Sequence, residues 1–147
     1  MNQELGSLLS KKLESESING EIINLEPLTG GASKEIWKFE VKLKDKSEKY
    51  ILRRGSGIEG PLAIKTSDEA QIQKTVRKLG ALVPEIISVS SLSEPLGDSY
   101  IMKFVEGETI ARKILRDSEY KSALQNLAFE CGAVSYTHLR AHETSLH

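Results

Sequence analysis

The chain has 147 residues, with 20 lysines and arginines set against 21 aspartates and glutamates for a formal net charge of −1. That near-balance excludes a nucleic-acid footprint or a polybasic membrane anchor, both of which need a surplus of cations. A single cysteine, Cys131, excludes an internal disulfide framework and fits a reducing compartment. No apolar run is long enough for a bilayer and the N-terminus lacks the apolar stretch of a signal peptide, so the expectation is a soluble, cytoplasmic protein without a membrane partner.

Leu5, Leu8, Leu9 and Leu13 recur at helical spacing and predict a short amphipathic helix at the start. Residues 15–20 (SESING) are a polar break. From Glu21 the period becomes two: Ile23 and Leu25 alternate with Asn24 and Glu26, and Pro27 ends that strand. Trp37, Phe39, Val41 and Leu43 then alternate with Lys38, Glu40, Lys42 and Lys44, which predicts a strand with one buried and one wet face. After the turn KDKSEK, YILRR is a third strand and completes an antiparallel meander. GSGIEGPLAIK is a glycine-rich connection. The helix after it has Thr66 and Glu69 at capping-box spacing, an apolar stripe of Ile72, Val76 and Leu79, and Gly80 as its stop. IISVS and SYIMKFV predict a fourth and a fifth strand on either side of the turn PLGD. Gly107 breaks the pattern, and TIARKILRD and EYKSALQNLAFEC read as helices. Cys131, near a helix end, reads as a buried apolar residue without chemistry.

All the histidines, His138, His142 and His147, fall in the final stretch. His138 and His142 are four apart and would share one helix face, as paired zinc ligands do, but no Glu follows the first of them and no third ligand is assured. The plainer reading is a solvated helix end. A third reading explains more: one permitted back-translation of residues 134–144 (VSYTHLRAHET) reads as the transposon-derived adapter used to make sequencing libraries. Residues 134–147 are therefore expected to be a non-native tail and are set aside from fold and function, which leaves a native part running to about Gly132. No metal site is assigned.

Three features carry candidate chemistry. In the hairpin LTGGASKEIW, Gly30 and Gly31 permit backbone conformations and close approaches that a side chain would block. Successive N–H groups in such a turn can cradle phosphate oxygens, and Ser33 adds a hydroxyl; equally, most Gly-Gly pairs between strands are simply turns. In YILRR, Tyr50 and Leu52 point to one face and Ile51 and Arg53 to the other. If that second face covers a nucleotide, Arg53 reaches its phosphates with Ile51 near the base, while Arg54 points away; otherwise both arginines are ordinary solvent-facing residues. Glu69 lies in register with Ile72, Val76 and Leu79, so it shares the buried stripe and needs a partner. Arg53 is the candidate, in the manner of the strand-lysine to helix-glutamate pair of kinases. The competing role for Glu69 is to complete the helix cap with Thr66, and one carboxylate cannot serve both fully.

LTGGASKEIW, YILRR, the helix carrying Glu69, VPEII, YIMKFVEGETIARKILRD and ALQNLAFECG together resemble the aminoglycoside phosphotransferase-like family, which has a protein-kinase-like fold and includes choline-kinase-type and other small-molecule kinases. The similarity covers residues 21–132 and rests on order and spacing rather than on one motif; VEGETIARKILRD looks like a subgroup of phosphotransferases with unassigned substrates. The resemblance implies an α+β fold: a kinase-like N-lobe and hinge over residues 21–105, with a five-stranded antiparallel sheet and one packed helix. A helix and linker over residues 1–20 would precede it, and the start of a truncated C-lobe over residues 106–133 would follow. It implies a nucleotide loop containing Gly30, Gly31 and Ser33, and a phosphate contact at Arg53, where many relatives carry lysine, paired with Glu69. Met102 would back the adenine pocket, and the carbonyl of Lys103 and the N–H of Val105 would hold the base.

ATP and magnesium are the implied cofactors and a small-molecule hydroxyl the implied acceptor, bound mainly by a lobe outside this chain. The family's catalytic loop, H-G-D followed four residues later by N, does not occur in the sequence. The chain is thus expected to hold a nucleotide without transferring its phosphoryl group. A non-catalytic, pseudokinase-like nucleotide-binding or interaction module is the alternative, and an α+β partner-binding domain without nucleotide the third reading. The helices from Glu108 onward are expected to leave Ile110, Ile114, Leu115, Leu124 and Leu127 without most of their partners.

Overall fold

In the computed structural model, residues 2–28, 34–55, 63–108 and 110–145 are described, with side chains to residue 136. The hairpin residues Gly30, Gly31 and Ser33, most of the glycine-rich connection and the side chains of His138, His142 and His147 lie outside the described residues. The chain divides into two compact units, Met1–Gln71 with Pro84–Phe104 and Ile72–Val83 with Val105–His147.

The first unit is a five-stranded antiparallel sheet with a helix on one face. Helix α1 (Asn2–Ser15) is followed by β1 (Glu21–Pro27), β2 (Lys34–Lys42), β3 (Ser47–Gly55), β4 (Ile86–Ser90) and β5 (Ser99–Lys103), in the spatial order β1-β2-β3-β5-β4. The period-two pattern has its expected result: Phe39, Val41, Tyr50, Leu52 and Ile101 are buried on one face, with Trp37 partly buried beside them. Leu5, Leu9 and Leu13, one face of α1, complete that core. An isolated helix of 14 residues is marginal in water, so α1 owes its stability to this packing, each buried leucine contributing about 1.5–3 kcal/mol. Lys12 of α1 also reaches Glu94 at 2.6 Å, and Ser88 of β4 donates to Glu16 just beyond the helix at 3.0 Å.

Two strand expectations need correction. In β1 the side chains packed against that core are the partly buried Ile22 and Leu25 rather than Ile23 and Leu25. A bulge shifts the register between Ile23 and Glu26, with Asn24 at φ 53° donating to the Glu40 carboxylate at 3.0 Å, so strict alternation fails there. The fifth strand ends at Lys103, short of Val105. Phe104 makes a last sheet-like bond to the Lys49 carbonyl (3.0 Å), and Val105, already in the second unit, is exposed.

Helix α2 (Thr66–Lys78) begins in the first unit and ends in the second. Its C-terminus closes as a Schellman motif. Ala81 N–H bonds the Val76 carbonyl at 3.0 Å, Gly80 N–H bonds the Arg77 carbonyl at 3.0 Å, and Gly80 sits at φ 93°. Val76 packs on Ala81 with Ile72 and Val83 around them. Gly80 is thus the helix stop, but Leu79 is exposed instead of extending the apolar stripe, because the chain turns away immediately after it. The second unit continues with α3 (Ala111–Arg116), one 3₁₀ turn (Ser118–Tyr120) and α4 (Lys121–Ser145), which runs unbroken past Gly132. No residue of α3 is buried, and Ile110, Leu115, Leu127 and Phe129 are exposed. Cys131 is exposed as well, contrary to the sequence expectation, since it lies on the same uncovered stretch of α4. Among the described residues no helix is long and apolar enough to cross a membrane.

Candidate functional site

On the sheet face opposite α1, side chains from β2, β3 and β5 converge on one carboxylate of α2. The register explains the convergence. Ile36 pairs with Arg53 and Arg53 with Tyr100, so residues at those positions, and Lys34 two places before Ile36, share a face. Arg53 Nε lies 3.1 Å from Glu69 Oε1. The Tyr100 hydroxyl donates to the same oxygen at 3.2 Å. Lys34 Nζ lies 3.3 Å from Oε2, and also donates to Thr66 Oγ1 at 2.9 Å and to the Ile64 carbonyl at 3.3 Å. The result is two cations around one carboxylate.

The Arg53 contact is short in distance yet lacks hydrogen-bond geometry: Nε is shielded from solvent and has no hydrogen-bond partner. We treat it as a charge contact, since a hydrogen bond needs direction as well as proximity. Burial first, then the charge on Glu69, pushes the Tyr100 hydroxyl well above the ordinary tyrosine value, against an opposing effect of Arg53, so Tyr100 is a donor at neutral pH.

The start of α2 is capped from elsewhere. Thr66 and Ser67 N–H groups donate to the Asp98 carboxylate at 2.6 and 2.9 Å, and the Asp98 carbonyl accepts from Gly55 N–H at 2.9 Å. The capping box suggested by Thr66 and Glu69 is therefore not the cap that forms; Asp98 takes the orphan donors and Glu69 turns to the sheet. Burial acts to raise the Asp98 carboxyl, but the bonds from Ser67 and Thr66 outweigh it and hold it below the usual range.

Of the other sequence candidates, Ile51 and Met102 are cross-strand partners on the same face as Arg53, with Ile51 buried. Lys103 is turned to Glu85, through its ammonium at 3.2 Å and its N–H to the Glu85 carbonyl at 2.9 Å. Val105 lies beyond the sheet. Lys34, Tyr100 and Asp98 were not singled out from the sequence. Lys34 and Tyr100 have the strand parity of Ile36 and Met102 as their only signal, and Asp98 sits in PLGD, which reads as a plain turn. A cleft of about 870 Å³ beside Arg54 includes Ser67 and Asp98 in its lining. The Asp98 carboxylate there is already taken up by the helix start, so the cleft receives no role.

Among the described residues no group of three His, Cys, Asp or Glu side chains converges to hold a metal ion. An anion fits better: Arg53 brings a shielded Nε lacking a hydrogen-bond partner, and Lys34 adds a second positive charge beside a single carboxylate. Compared with protein-family models, curated proteins and solved structures, the chain matches none.

Proposed function

We propose that the chain is the N-terminal, nucleotide-binding part of a kinase-like, ATP-dependent phosphotransferase that acts on a hydroxyl of a small molecule. The observation that carries this reading is the Arg53–Glu69 contact at 3.1 Å, a strand cation facing a helix carboxylate. In kinases a pair of that kind aligns nucleotide phosphates. Ile51 and Met102, adjacent on the same face, are the apolar surface against which a base would stack, with the chain after Met102 (the Lys103 carbonyl and the Val105 N–H) as the hinge. The five-stranded antiparallel sheet is compatible with the reading. ATP binding is therefore assigned to the sheet face bearing Arg53. Magnesium ligands, the catalytic loop and the acceptor site are assigned to sequence outside this chain, and residues 134–147 to a non-native tail.

One observation favours a second reading: Arg53 stands where the family this chain resembles mostly carries lysine, which suits a pseudokinase-like module that binds a nucleotide without using it. Sequencing the source DNA across the codons for Glu130 to Val134 and onward separates the two. A frame that continues into a helix and an H-G-D-x-x-x-x-N loop supports the phosphotransferase. A frame that encodes residues 134–147 and then stops makes the chain inactive as a kinase.

A further inference from the structure

Two cations face Glu69, and their surroundings differ. The Lys34 side chain is only 10% exposed, against 32% for Arg53. Lys34 Nζ is tied to the start of α2 through Thr66 Oγ1 (2.9 Å) and the Ile64 carbonyl (3.3 Å). Arg53 has no such anchor: among the described residues its guanidinium meets only the Glu69 carboxylate, and its Nε makes no hydrogen bond there. Distance alone favours Arg53, 3.1 against 3.3 Å, but anchoring and burial favour Lys34. An ion pair shielded from water is screened less, and removing one member leaves the other charge uncompensated.

We propose that Lys34 is the fixed cation of this site and a positioning residue for Glu69, and that Arg53 is the exchangeable cation, which turns from Glu69 to a phosphate-bearing ligand. Glu69 stays neutralised by Lys34 and hydrogen-bonded by Tyr100 when Arg53 leaves, so the exchange sacrifices a single undirected contact. This divides a task that a strand lysine and a helix glutamate would share as one pair. The ligand half of the proposal rests on the nucleotide reading; the clamp between Lys34 and Glu69 does not.

The test is a pair of double-mutant cycles on the complete chain, read by thermal unfolding, with Lys34→Met and Arg53→Met each combined with Glu69→Gln. The Lys34–Glu69 coupling should be at least twice the Arg53–Glu69 coupling, and Lys34→Met alone should lower Tm by about 3–6 °C. Should Lys34→Met fail to fold, Lys34→Gln removes the charge while keeping a donor for Thr66. Titration with ATP supplies a readout that packing alone would not move. Lys34→Met should weaken binding in the wild-type background and add nothing to Glu69→Gln, with Lys34→Arg restoring most of the loss. An Arg53–Glu69 coupling equal to or larger than the Lys34–Glu69 coupling overturns the proposal, as does an unchanged ATP affinity in Lys34→Met. Wild-type chain that binds no ATP removes the nucleotide reading and the ligand half with it, while the unfolding cycles still decide the clamp.

Discussion

Asp98 shows how one residue can settle a competition that its neighbours leave open. Thr66 and Glu69 have the spacing to cap α2, and Glu69 and Arg53 have the chemistry to pair; the sequence offers one carboxylate for two tasks. By reaching Thr66 and Ser67 N–H from the β4–β5 loop, Asp98 releases Glu69 for the sheet. Replacing it with alanine should cost about 1–2 kcal/mol, the usual worth of a helix cap. The pH dependence has a definite sign. A carboxyl held below its unfolded value contributes fully above the ordinary carboxylate range and loses that contribution as pH falls through the depressed value. Urea unfolding between pH 7 and pH 3 should therefore show a shallower acid loss for Asp98→Asn than for the wild type; identical slopes would remove Asp98 from the cap. Glu94, lowered chiefly by its bond from Lys12, acts in the same direction and stays in both proteins as a common background. The partner of Glu69 was legible from chemistry, because a carboxylate in register with an apolar stripe demands one. Asp98 was not, because a long-range cap leaves no local pattern.

The helix ends make the same point for elements. α1 and α2 both close with a left-handed residue and paired bonds back into the last turn, but α2 uses Gly80 at φ 93° whereas α1 uses Ser17 at φ 64°. In α1, Ile18 N–H reaches the Leu13 carbonyl at 2.9 Å and Ser17 N–H the Glu14 carbonyl at 3.0 Å. Glycine announces such a stop and serine does not, so the end of α2 was readable and that of α1 was seen only as a polar break. The two positions should respond oppositely. Ser17→Gly should raise stability by up to about 1 kcal/mol, and Gly80→Ala should lower it by about 1 kcal/mol, both through backbone strain. Among the described residues, and apart from its two chain neighbours, no atom lies within 4 Å of where a Cβ at Gly80 would stand, so crowding plays no part in that loss. Denaturant midpoints for the two variants check the signs. Strand periodicity was legible in β2, where Trp37, Phe39 and Val41 alternate with charged residues; in β3 the consecutive Tyr50, Ile51 and Leu52 are all buried, and only the pairing register sorts its faces. Alternation failed in β1, where the positive φ of Asn24 inserts a bulge that hydropathy alone does not mark.

At the scale of the whole molecule, the two units differ in how well they cover their apolar side chains. The first buries leucines of α1 against the sheet; in the second, Leu82 is 87% exposed and Phe129 81%, with Leu115 and Leu127 also open. Uncovered apolar surface of this kind drives association. The chain should bind a solvatochromic apolar dye and self-associate as concentration rises, and Leu127→Lys with Phe129→Lys should reduce both; a dye-silent monomer at high concentration would contradict this. Of the residues expected to lack partners, Ile110, Leu115 and Leu127 are exposed while Ile114 and Leu124 are partly covered, and Leu82 and Phe129 were not foreseen. The contact between Glu69 of α2 and the sheet face bearing Arg53 was foreseen from strand parity and from a carboxylate in register with an apolar stripe. The measurement that bears most directly on that face is a calorimetric titration of the chain with magnesium ATP, repeated with Arg53→Ala and with Arg54→Ala, whose side chain belongs to the other face. Saturable binding that weakens at least tenfold in Arg53→Ala and is unchanged in Arg54→Ala is the expected result. Equal affinities for the wild type and Arg53→Ala would contradict the nucleotide site.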